Sequence, residues 1–126
     1  MSDERQFVDS NIWLYAFIQR PDEDKRHEQA RNLIRYSSGI TVSEQVIVEI
    51  SVNLLKKGKL SELQLGRIIE AFYRRYRVFA PSLETHQTSG KLRGRYCFSY
   101  WDSLIVAAAL QTNCTILYSE DMQNGS

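Results

Sequence analysis

The sequence predicts an α/β domain, and three observations carry that reading. Short apolar runs of three or four residues alternate with longer stretches in which apolar residues recur at helical spacing. Capping and helix-breaking residues stand between them. The short runs are nearly continuous in apolar character, as strands are when both sheet faces are covered, and parallel strands joined through helices have that character.

Taken in order, Gln6-Phe-Val8 reads as a first strand ending at Asp9, and Asn11 to Phe17 as a buried helix broken by Arg20-Pro-Asp-Glu-Asp24. From Asp24 to about Tyr36, Ala30, Leu33 and Ile34 recur among charges, which marks a surface helix. Gly39 to Val42 is a second strand. Ser43 can cap the next helix, whose Val46, Ile47, Ile50 and Leu54 face a core and which runs out at Lys56-Lys-Gly-Lys59. Ser61-Glu-Leu-Gln64 has the form of a capping box opening a helix to about Tyr76. Arg77 to Ala80 is a third strand, stopped by Pro81. Ser82 to about Arg95 is expected to be a weaker helix because it holds Gly90 and Gly94. A helix from Ser99 to Gln111 and a strand over Thr115 to Tyr118 complete the order.

With 126 residues, 43% hydrophobic and 25% charged, the chain suits one domain able to bury a core. Sixteen Lys and Arg against fifteen Asp and Glu give a charge of +1, so any nucleic-acid contact must come from local patches. The apolar run Leu104 to Leu110 is far short of the roughly 20 residues that cross a membrane, and MSDERQF lacks the features of a signal peptide. A cytoplasmic protein without a membrane partner is expected. Cys97 and Cys114 stand seventeen residues apart with no Cys/His cluster, which reads as two buried thiols rather than a zinc site or disulfide.

In open parallel sheets ligands bind beyond the carboxyl ends of the strands. Those positions are acidic in this chain: Asp9 ends the first strand, Glu49 lies in the helix after the second, Asp102 opens the helix feeding the last, and Glu120-Asp121 follow it. Brought together, such carboxylates repel, and a hard divalent cation removes the penalty. Oxygen donors without His or Cys point to magnesium or manganese, and these ions to phosphodiester chemistry. Each acid also has a plainer role open to it. Asp9 can cap a helix, Glu49 can be solvated, Asp102 fits a capping box with Ser99, and Glu120 and Asp121 can be turn residues. His27 and His86 stand alone.

The segments Phe7-Val-Asp9-Ser10-Asn11 to Phe17, Val42-Ser-Glu-Gln45-Val-Ile-Val-Glu49-Ile, FSYWDSLIVAAA and Ile116 to Gln123 resemble, in order and spacing, the four signature segments of PIN-domain proteins, with the VapC-like toxin branch the nearest in pattern. The resemblance implies a three-layer sandwich around a central parallel sheet of about four strands. It implies a metal-dependent endoribonuclease that cuts structured RNA such as transfer RNA and is silenced by a cognate antitoxin. Residue by residue it implies that Asp9, Glu49, Asp102 and Asp121 are catalytic and bind Mg2+ or Mn2+, with Glu120 as the alternative fourth ligand and Asn11 and Ser119 in support. Family members continue with a further strand after the SEDMQNG segment, so a single domain over residues 1–126 without that strand is expected.

An RNA substrate needs positive surface near the acids. Three patches offer it: Lys56, Lys57 and Lys59; Arg74, Arg75 and Arg77; and Lys91, Arg93 and Arg95. Solvated helix faces explain the first two. The third precedes the Asp102 helix, with Tyr96 and Tyr100 available for base stacking, and is the expected RNA contact. Trp13, Tyr15 and Phe17 belong to the core or, where exposed, to a surface for an antitoxin helix. A homodimer is also expected. The competing reading is a PIN-like module that binds RNA or protein without cutting. A phosphoacceptor receiver needs an aspartate after the third strand, where Val78-Phe-Ala-Pro81 has none.

Overall fold

The computed structural model describes residues 4–18, 22 and 24–119. Ten elements follow in chain order: β1 (Gln6–Val8), α1 (Ser10–Phe17), α2 (Asp24–Tyr36), β2 (Ile40–Ser43), α3 (Glu44–Lys56), α4 (Glu62–Arg75), β3 (Arg77–Phe79), α5 (Leu83–Arg95), α6 (Tyr100–Gln111) and β4 (Ile116–Tyr118). The strands form one sheet in the order β3-β2-β1-β4, every neighbouring pair parallel. All four carboxyl ends therefore lie at the same end of the sheet.

Both faces are covered, because four successive residues of β2, Ile40 to Ser43, are buried although their side chains alternate between faces. Helices α1 to α4 pack as one group, α1 against α2 and α3, and α3 against α4. Helix α5 packs against α6, and α6 reaches β2. One core joins Phe7 and Val8 of β1, Trp13 of α1, Val46 and Ile50 of α3, Phe72 of α4 and Ile105 and Ala108 of α6. This is the α/β sandwich expected from the sequence.

Local chemistry places the element ends. Ser43 caps α3 by accepting the Val46 N–H at 3.2 Å. Ser61 and Gln64 complete the capping box of α4, with bonds of 3.1 and 2.9 Å. Ser99 caps α6 by accepting the Asp102 N–H at 3.0 Å. Gly39 lets β1 meet β2: a Cβ there would lie 2.6 Å from the Glu4 carbonyl oxygen, beside the Gln6 N–H bond to the Gly39 carbonyl. The helix expected over residues 82–95 forms from Leu83 to Arg95. Gly94 meets nothing within 4 Å and Gly90 only the tip of the Arg93 side chain, so neither marks a crowded break. Both cysteines are free thiols, but neither is buried as expected: Cys97, just beyond the end of α5, is exposed and Cys114 is half-buried. Among the described residues, no helix is long and apolar enough to cross a membrane.

Candidate active site

Asp9 is the first residue beyond β1, and only 4% of it is exposed. It is also the N-cap of α1, so the sheet and the helix both fix its backbone. Its Oδ1 accepts the Ser10 N–H at 2.7 Å, and its Oδ2 accepts the Ser119 hydroxyl at 3.0 Å. Ser119 is delivered by β4, whose Tyr118 carbonyl accepts the Asp9 N–H at 3.0 Å. Asp9 thus ties together β1, β4 and α1.

Glu49 enters from α3. The Ser10 hydroxyl donates to Glu49 Oε1, while its distance to Asp9 Oδ1 is 3.4 Å. A hydroxyl has one proton, and the shorter contact takes it. Ser10 therefore bridges the acid of α1's cap to the acid of α3. In the sequence Ser10 stands out only as a member of the first signature segment. Its role as a bridge depends on the packing of α1 against α3, which no local pattern encodes.

Asp102 stands half-buried in the first turn of α6, and its charge acts on Asp9. Burial pushes the Asp9 carboxyl above the usual aspartate value. The Ser10 N–H and the Ser119 hydroxyl pull it back and the nearby Asp102 charge pushes it up again, leaving it raised. Burial, more than the neighbouring charge, is thus what disfavours the Asp9 carboxylate. Asn11 lies in the first turn of α1, half-buried. Asp121 and Glu120, the expected fourth acid and its alternative, lie outside the described residues. Among the described residues, no group of three or more His, Cys, Asp or Glu side chains forms a metal site by itself. The donors that do converge are oxygens, the type that suits a hard divalent cation.

The expected RNA patch divides. Lys91 and Arg95 are exposed on α5. Arg93 turns inward, its Nη1 donating to Ser103 Oγ at 2.8 Å and also to Ser89 Oγ. The aromatic trio divides too. Trp13 is buried, donates its indole N–H to the Val8 carbonyl at 3.1 Å, and meets Phe72 edge-on with ring centres 4.8 Å apart. Phe17, 42% exposed, walls a groove of about 790 Å³ between α1, α2 and α4. Arg31, Arg35, Arg67 and Arg75 also line it, and none of the acids does. The Tyr15 hydroxyl accepts from Arg26 at 2.8 Å.

Residues 7–123 match the model of the PIN domain family. No curated protein matches the sequence. Solved structures share the fold at low identity. VapC20 of Mycobacterium tuberculosis, described as a Sarcin-Ricin loop cleaving toxin, superposes with a TM-score of 0.74 at 18% identity, over 92% of this chain and 89% of that one. A toxin-antitoxin complex from Klebsiella pneumoniae gives 0.69 at 21% identity, over 91% and 86%. VapBC2 from Rickettsia felis, bound to a DNA fragment from its promoter, gives 0.63 at 22% identity, over 91% and 86%. A family match spanning nearly the whole chain, on a parallel sheet that gathers acids beyond its carboxyl ends, makes this chain a member of the PIN domain family.

Proposed function

We propose that the protein is a metal-dependent endoribonuclease, the toxin of a toxin-antitoxin pair. The observation that carries this reading is Asp9. A carboxylate 4% exposed, raised in pKa by burial and by Asp102 and bridged through Ser10 to Glu49, is a charge that the fold holds ready for a cation. Membership of the PIN family and the likeness to a toxin described as cleaving the Sarcin-Ricin loop support the same direction.

The proposed ligands are Asp9, Glu49, Asp102 and Asp121, with Glu120 as the alternative to Asp121. Bound among them, Mg2+ or Mn2+ would polarise a phosphoryl oxygen and lower the pKa of a water. The chain's own residues do the positioning. Ser119 and the Ser10 N–H fix both oxygens of Asp9, so its lone pairs point one way. Ser10 sets the Glu49 carboxylate against it. The Ser99 cap fixes the turn that carries Asp102. Lys91 and Arg95, exposed on α5, are the remaining members of the proposed RNA patch, with transfer RNA as the first substrate to try.

An antitoxin is the proposed protein partner, and the solved toxin-antitoxin complexes of this fold support it. The groove beside Phe17, apolar in its floor and bearing four arginines, suits an amphipathic helix carrying acids. Val48, Val52 and Leu55 are exposed at i, i+4 and i+7 on α3, which supports pairing with a second copy. The non-cutting module remains the second reading, because the described acids do not complete a metal site.

The test is cleavage of total transfer RNA with and without Mn2+, alongside Asp9→Asn and Asp102→Asn. Cleavage by the parent that needs the metal and disappears in both variants is the expected result. Cleavage that survives both substitutions overturns the assigned site, and no cleavage by the parent favours the binding module.

A further inference from the structure

Helix α5 meets α6 through hydroxyls. The buried residues of α5 are Thr85 and Ser89, both inaccessible to solvent, and Ser103 of α6 is equally buried. The protons around Ser103 can be assigned by counting donors. Ser103 donates its single proton to the Tyr100 carbonyl at 2.7 Å, so its oxygen only accepts from elsewhere. Ser89, 2.7 Å away, must then be the donor of that pair. The two hydrogens on Arg93 Nη1 go one to each serine. The guanidinium carbon also lies 4.2 Å from the centre of the Tyr100 ring.

Arg93 therefore grips Tyr100 and Ser103, the residues on either side of the turn that carries Asp102. A cation beside the N-terminal turn opposes the helix dipole, so stabilising α6 alone does not account for its charge. Resting on the nuclease reading above, we propose that Arg93 is a positioning residue of the acidic site. It fixes the first turn of α6 from α5 and so sets the Asp102 carboxylate for the cation. It does not contact RNA, which changes its place in the basic patch.

The test compares the parent with Arg93→Ala, Arg93→Lys, Ser89→Ala and, as a charge control, Lys25→Ala on the exposed face of α2. The readouts are Mn2+ affinity by titration of the spin signal, and kcat and KM on an RNA oligonucleotide. Loss of a group that orients a ligand weakens metal binding or activity by about 10- to 100-fold. Arg93→Ala should weaken Mn2+ binding by about tenfold and lower kcat similarly, with KM within about twofold of the parent. Arg93→Lys should recover part of both, and Lys25→Ala should change neither. A raised KM with kcat and Mn2+ affinity intact makes Arg93 an RNA contact and overturns the proposal. Normal Mn2+ affinity and kcat with lowered thermal stability makes it packing only, which also overturns it. If Arg93→Ala does not fold, the same criteria are read from Arg93→Lys and Ser89→Ala. If the parent binds Mn2+ without cutting, the nuclease reading fails while the affinity comparison still decides the role of Arg93.

Discussion

Burial works against the charge of the Asp9 carboxyl. Its raised pKa means that between the ordinary aspartate value near 3.8 and the folded value the native state binds more protons than the unfolded chain. Stability contributed by this group therefore falls as pH rises through that window and stays lower above it. Asp9→Asn keeps an N-cap side chain and removes the charge, so the metal-free variant should melt at or above the parent temperature at pH 7. The advantage should shrink as the pH falls through the raised range in which the parent carboxyl protonates; scanning calorimetry from pH 7 downward checks both. Added Mn2+ should raise the melting temperature of the parent and leave that of Asp9→Asn unmoved. At this scale the acids were legible because their type and their place after strands were visible in the sequence. The bridge through Ser10 was not, since it needs the spatial meeting of residues 10 and 49.

Helix ends show why some elements were readable to the residue. Ser43, Ser61 and Ser99 each bond an N–H three positions ahead, an interaction wholly contained in the local sequence. The extent of α5 was readable too, but what holds it was not, because Thr85, Ser89 and Arg93 meet partners on α6, including Gln111. The inward turn of Arg93 belongs to the same packing. Two cap substitutions separate stability from site geometry. Ser61→Ala and Ser99→Ala should each cost about 1 kcal/mol in denaturant unfolding. Only Ser99→Ala should also reduce metal-dependent cleavage, since its helix presents Asp102 and the α4 cap presents none of the acids. Equal cleavage by the two variants would count against a site that includes Asp102.

At the scale of the molecule, Trp13 links the central strand to the helical layer. Its ring meets Phe72 and Tyr76 of the α4 end, and its N–H satisfies the Val8 carbonyl of β1. Trp13→Ala removes that packing and leaves the carbonyl unpaired, a loss of about 3–5 kcal/mol. Domains are typically stable by only about 5–15 kcal/mol, so urea unfolding should show a midpoint collapsed toward zero denaturant. The class of fold was legible because crossovers through helices force strands to run parallel. The strand order was not, because that order is a matter of long-range pairing. Placing β1 between β2 and β4 has a consequence for when the protein can act. Asp9 receives the Ser119 hydroxyl across 110 positions of sequence, and β1 pairs with β4 through Gln6, Phe7 and Val8. During synthesis Asp9, the first of the site's proposed acids to be made, must wait for β4, the last strand among the described residues, before both oxygens of its carboxylate are held. On the proposed reading, the nuclease site therefore forms only after β4 has joined β1, late in folding rather than as soon as Asp9 is made.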